Sequence, residues 1–146
     1  MSFDSFLETF DKIEPLSNFQ IVAECKKLNI GHFKGVFMRD ELNKNREPKN
    51  ECLILNIDHS ANSGTHWTSL FIKNEVCYYF DSFGLPPPVE VENYLKNFEK
   101  REYNSFEIQK ANQVICGHFS IYMLFKLDKG ESFYQILDEL YNFNHK

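Results

Sequence analysis

The chain is short of several things that would each announce a function. No run of apolar residues approaches the roughly 20 needed to cross a bilayer as a helix, which argues against an integral helical membrane protein. Cysteine is sparse and scattered: Cys25, Cys52, Cys77 and Cys116 show no Cys-x-x-Cys spacing, and three of them lie inside apolar runs. That pattern excludes a disulfide framework or a zinc ribbon and reads as reduced, intracellular thiols. Met1 to Phe10 carries acids where a secretory signal carries basic residues, so no export signal is expected. There is no internal repeat and no low-complexity tract. Positive charge is scarce too. The formal net charge is -5, and Lys44, Arg46 and Lys49 surround Glu47 while Lys100-Arg101 stands between Glu99 and Glu102. A broad nucleic-acid footprint needs unopposed cations, and these read instead as a solvated surface.

What is present is apolar and aromatic. Of the 146 residues 42% are hydrophobic, with fifteen Phe and seven Tyr, enough to build the core of one domain spanning 1–146. Ser17 and Gln20 form a capping box for a helix that Phe19, Val22, Ala23 and Leu28 continue at helical spacing, ended by Asn29 and Gly31. Glu41 to Asn50 is polar and reads as a loop. Cys52 to Ile57 reads as a buried strand, and Trp67 to Ile72 and Val76 to Asp81 as a hairpin turning at Lys73-Asn74. After the rigid Leu85-Pro86-Pro87-Pro88, Val89 to Lys100 is predicted helical and Ser105 to Gln109 a short strand. Gly117 to Leu127 is apolar on nearly every side, the mark of a buried helix. Ser132 and Gln135 suggest a capping box for a last helix ending near Phe143.

Within this frame stand the residue types of thiol catalysis, which needs a nucleophile, a base, a group that orients the base and an oxyanion donor. His66 lies in Gly64-Thr65-His66-Trp67, Asp81 in Phe80-Asp81-Ser82-Phe83-Gly84, and Cys116 in Val114-Ile115-Cys116-Gly117-His118. Gln109 and Gln113 precede the Cys, and either side-chain amide can donate. With Lys73-Asn74 as the turn, paired residue numbers sum to 147, which sets His66 directly opposite Asp81, with Cβ atoms ~5 Å apart. Cys116 opens the buried helix, where unpaired N–H groups and the helix dipole favour a thiolate and the Cys116 N–H itself can face an oxyanion. Gly117 would let a substrate backbone approach. His32, His59, His118 and His145 read as structural, as do Cys25, Cys52 and Cys77.

The order His, Asp, Cys differs from that of papain-like enzymes, which place Cys first. It resembles the adenain-like cysteine proteases: the maturation proteases of adenoviruses and, more closely, those of virophages and large transposons. The SUMO-specific proteases share the fold group. Gly64 to Trp67 is similar to the Gly-x-His-Trp motif, Asp81 to Gly84 to the acid followed by Phe-Gly, and Cys116-Gly117 to the Cys-Gly at a helix start. Gly35-Val36-Phe37-Met38-Arg39-Asp40-Glu41-Leu42 resembles a further stretch of the virophage and transposon enzymes. The resemblance spans about Leu28 to Leu127. It implies an α+β, papain-like fold in the adenain/Ulp-type arrangement, with a small mixed or antiparallel sheet packed on the helix that starts at the Cys. It implies Cys116, His66 and Asp81 as catalytic residues, Trp67 lining the site, and the oxyanion Gln seven positions before the Cys, which is Gln109. No metal or organic cofactor is implied. The expected substrate is a protein, a capsid precursor cut at Gly-containing sites, and the expected setting is a virion or the host-cell cytoplasm or nucleus. The chain is expected to act as a monomer, with room for a peptide or nucleic-acid activator supplied in trans. Two other readings fit the same residues: an isopeptidase for a SUMO- or ubiquitin-like modifier, and a non-catalytic binding module that keeps the fold.

Overall fold

The computed structural model describes residues 1–42, 48–58 and 66–145. Gly64 and Thr65 of the histidine motif, His59, and the Lys44, Arg46 and Glu47 charges lie outside them. A five-stranded sheet forms from β1 (Phe33–Met38), β2 (Glu51–Asn56), β3 (Trp67–Lys73), β4 (Val76–Phe80) and β5 (Lys100–Tyr103), in spatial order β1-β2-β3-β4-β5. The two central pairings are antiparallel, and each edge strand pairs parallel to its neighbour. The mixed sheet and its helices make the α+β class that the sequence suggests.

Alternating side chains feed two cores. On one face Cys52, Ile54, Phe71 and Phe80 join α1 (Phe3–Glu8), α2 (Asn18–Lys27), α4 (Cys116–Asp128) and α5 (Phe133–Asn144). On the other, Leu53, Leu55, Leu70, Ile72, Cys77 and Tyr79 meet Val91, Tyr94 and Leu95 of the short helix α3 (Val89–Tyr94) and the residue after it. Every residue of β2 is buried, as a strand covered on both faces must be. Helix α4 is covered nearly all round: Phe119, Ile121, Tyr122, Met123 and Leu124 are at most 1% exposed. Each such side chain contributes roughly 1.5–3 kcal/mol by leaving water, so the helix that starts at Cys116 is held from all sides rather than along one stripe.

Several sequence expectations need correction. The hairpin turns at Asn74-Glu75, both at positive φ (51° and 66°), and Lys73 pairs with Val76, so paired numbers sum to 149. The register is therefore two residues off the expected one. A shift of two preserves which face each side chain occupies, so the core assignments survive while the expected His66–Asp81 opposition does not. In α2 the capping box is present, but Phe19 is 81% exposed and the buried residues are Ile21 and Cys25. The helix expected over Val89 to Lys100 ends after Tyr94, and Lys100–Tyr103 is strand β5. Ser105 to Gln109 is not a strand: the Ile108 and Gln109 N–H groups both donate to the Ser82 carbonyl, which bends the segment into a loop. At α5 the Ser132 side chain accepts from the Gln135 N–H as a simple N-cap.

Candidate active site

His66 stands one residue before β3, Asp81 one residue after β4, and Cys116 is the first residue of α4. The three come together. His66 Nε2 lies 2.7 Å from Asp81 Oδ1, with both side chains almost fully buried. The contact runs diagonally across the hairpin: continuing the true register would set His66 opposite Phe83, and those two rings do stack, 4.7 Å between centroids. Since Nε2 faces the carboxylate it carries a proton as donor, and Cys116 lies close enough to the ring to help raise its pKa.

The electrostatics favour an imidazolium. Burial pulls the His66 pKa down, but hydrogen bonds to Asp81 and Cys116 and the charges behind them outweigh it, and the pKa is pushed up to about 9. The opposite case stands two positions beyond Cys116. His118 is fully buried, neither ring nitrogen has a partner among the described residues, and burial alone takes its pKa down to about 4. Phe10 packs edge-on against it at 4.7 Å, so it is a neutral core residue, as expected from its place on the helix. Burial also raises the thiol pKa of Cys25, Cys52 and Cys77, to about 12 for the first and last.

Asp81 is fixed on every side but one. Its Oδ1 also accepts the Phe83 N–H at 2.8 Å, its N–H donates to Asn104 Oδ1, and its carbonyl accepts from Asn104 Nδ2 and from the Gly84 N–H. Asn104 thus continues the β4–β5 ladder with a side-chain amide in place of a backbone one. Asp81 Oδ2 is buried with no partner among the described residues. Gly84 has φ +73°, and a Cβ there would lie 2.6 Å from the Phe106 backbone, so the acid turn and the 104–109 loop touch main chain to main chain.

The two glutamines separate. Gln109 is 2% exposed; its Oε1 accepts from the Ser82 hydroxyl at 2.6 Å and its Nε2 donates to the Gln113 carbonyl at 2.6 Å. Gln113 Nε2 donates to Asn144 Oδ1 at 3.0 Å, and Gln113 Oε1 accepts from Asn144 Nδ2 at 2.7 Å and from the Lys110 N–H at 2.9 Å. Gln113 is therefore tied to α5 and Gln109 to the acid turn, and each Nε2 donates once among the described residues. At the head of α4, Ile115 offers no side-chain cap to the first N–H groups. The space beside the Gly117 α carbon is taken by Trp67, 3.3 Å from where a Cβ would stand, and by Leu16 at 3.4 Å. Trp67 is half-buried and donates its indole N–H to the Leu16 carbonyl at 3.0 Å. Leu16, Ser82 and Asn104 escaped the sequence reading. Ser82 lay inside a quoted motif but signalled no contact, and nothing local marks the other two.

No family profile matches the chain, and no curated protein matches it in sequence. Solved structures do. The chain superposes on a crystal structure of the ASFV pS273R protease with a TM-score of 0.58 at 17% identity, covering 92% of this chain and 67% of that one. A second structure of that ASFV protease gives 0.53 at 17% identity, covering 92% and 68%. The SUMO protease Ulp1, solved with its catalytic cysteine oxidised to a sulfinic acid, gives 0.54 at 10% identity, covering 98% and 78%. The fold is thus that of the Ulp-type cysteine proteases, the fold group to which the sequence motifs point.

Proposed function

We propose that this chain is a cysteine endopeptidase with Cys116 as nucleophile, His66 as base and acid, Asp81 as the group that orients His66, and Gln109 with the Cys116 N–H as oxyanion donors. One observation carries the reading: a buried imidazole held at 2.7 Å by a carboxylate, with the thiol at a helix N-terminus close enough to help raise its pKa. Cys116 Sγ attacks a peptide carbonyl carbon, and the carbonyl oxygen takes the negative charge. Donors placed where that charge develops are each worth about 2.7–4 kcal/mol of barrier. The His66 Nδ1 proton passes to the leaving amine as the C–N bond breaks, leaving a thioester at Cys116. Water, activated by the now neutral imidazole, then releases the acid. Trp67 lines the site. The burial of Gln109 and its tie to the acid turn through Ser82, against the tie of Gln113 to α5, support Gln109 as the donor.

The substrate in this reading is a viral or virophage capsid precursor cut at Gly-containing sites, by one catalytic unit acting as a monomer inside the host cell or virion. The sequence motifs and the likeness to an ASFV protease support it. None of the helices described is long and apolar enough to cross a membrane. The likeness to a SUMO protease over 98% of this chain supports a second reading, an isopeptidase for a ubiquitin-like modifier. Co-expression of the wild type, or of Cys116→Ala, with a candidate capsid precursor from the same genome, and separately with a SUMO fusion, distinguishes the two by intact mass. Trimming of the precursor by the wild type alone is the expected result. Processing of the fusion alone selects the isopeptidase. An unprocessed pair together with an inert Cys116 refutes both.

A further inference from the structure

We propose that Ser82 is a positioning residue for the Gln109 carboxamide, an inference that rests on Gln109 being the oxyanion donor. A buried amide can sit in two orientations related by a half-turn about its last torsion, and only one presents N–H to a developing oxyanion. Here the Gln113 contact makes the choice and the Ser82 contact anchors it, since a hydroxyl can donate or accept. The Gln113 main-chain carbonyl can only accept, so the atom 2.6 Å from it is Nε2. The Ser82 hydroxyl, 2.6 Å from the other end, donates to Oε1. Flipping the amide would set Oε1 against a carbonyl oxygen and lose that bond. Ser82 is fully buried, and its own carbonyl accepts the Ile108 and Gln109 N–H groups at 2.8 Å each, so side chain and backbone of one residue grip the amide at both root and tip. The Gln113 arm is anchored separately through Asn144 on α5. Removing the Ser82 hydroxyl therefore releases one arm and leaves the other. Because Ser82 follows Asp81 directly, the turn that orients the base also orients the oxyanion donor.

The test compares wild type, Ser82→Ala, Gln109→Ala and the double variant. Two reactions of Cys116 are followed. Alkylation by iodoacetamide forms the S–C bond with loss of iodide and creates no oxyanion. Acylation by p-nitrophenyl acetate forms a thioester with loss of p-nitrophenolate and passes through one. In Ser82→Ala acylation is expected to fall about 10- to 100-fold, a part of what losing a donor outright costs, with alkylation changed by no more than roughly twofold. In the Gln109→Ala background Ser82→Ala is expected to add less than about twofold, since a residue acting through another has nothing left to act on. Side-chain ¹⁵N NMR reads the anchoring without catalysis: the Gln109 N–H₂ pair is shifted away from free-glutamine positions in the wild type and moves toward them in Ser82→Ala. Additive losses in the double variant, equal losses in alkylation and acylation, or a Gln109 N–H₂ pair at free-glutamine positions in the wild type itself each overturn the proposal, the last even where Ser82→Ala does not fold. A move to those positions in Ser82→Ala, alongside a wild type that alkylates but never acylates, supports anchoring by Ser82 and refutes the proteolytic reading instead.

Discussion

Replacing Asp81 by Asn keeps the shape of the site and removes its charge. In the wild type the imidazolium of His66 is favoured against burial by the Asp81 contact first and the Cys116 contact second, which together carry its pKa from 6.5 to about 9. Without the carboxylate, burial is opposed by the thiol contact alone. Each unit of pKa lost weakens the imidazolium by about 1.4 kcal/mol, a factor of ten. The imidazolium that faces Cys116 is thereby weakened, and alkylation of Cys116 at pH 7 is expected to fall by about tenfold or more. The new amide also places an N–H₂ group where Oδ2 is buried without a partner, so stability should fall by roughly 1–3 kcal/mol. The assay is the second-order rate of iodoacetamide addition by intact mass between pH 5 and pH 9, with circular dichroism to show that the variant is folded. A folded Asp81→Asn whose rate at pH 7 stays within about twofold of wild type would show that the ion pair does not set the reactivity of Cys116.

Four further outcomes follow from the same geometry. Because the folded His66 pKa is raised, its stabilising contribution of roughly 3 kcal/mol is complete below about pH 6.5 and is lost as pH rises through about 9, so urea midpoints should drop between pH 7 and pH 10, and less so in His66→Ala. Peptidase activity should decline over the same alkaline range, as the proton destined for the leaving amine is lost. Gly84→Ala would drive a Cβ to 2.6 Å from the Phe106 backbone at φ +73°, and should cost roughly 2–4 kcal/mol by thermal or urea denaturation. An unchanged melting temperature would contradict the packing of the acid turn on the 104–109 loop. Finally, Cys25, Cys52 and Cys77 are at most 1% exposed with raised thiol pKa values, so brief alkylation at pH 7 should add a single adduct, absent in Cys116→Ala.

The parts of the fold that were legible in the sequence are those decided locally. The Ser17–Gln20 capping box, the apolar wrap of α4 and the apolar runs of β2, β3 and β4 all write their conformation into neighbouring residues. The parts that were not legible depend on what packs against them. β5 is Lys-Arg-Glu-Tyr, charged and without a β pattern, and becomes a strand by pairing with β4. β1 is mostly half-buried and interrupted around Gly35 at φ +129°, so its alternation is blurred. α1 is short and rests on Phe3 and Phe6 at i and i+3, too few turns to show a period. The hairpin register was missed because the turn puts Glu75 at positive φ, where Asn-Gly would be the recognisable choice. The site was more legible than the sheet, since His66, Asp81 and Cys116 carry chemistry in their side-chain types. Where each glutamine is anchored was not: that depends on Ser82 and on Asn144, distant in sequence.

The two borders of the sheet bear on how such a molecule lives among its targets. β5 is four residues long with three charges, and the β1 ladder breaks between Phe33 and Val36. A foreign strand looking for a straight row of free N–H and C=O groups finds neither border hospitable. A protein in a crowded solution is surrounded by chains that could annex an open sheet edge and drag it into aggregates. Blunted borders deny them that edge and help the protein stay dispersed.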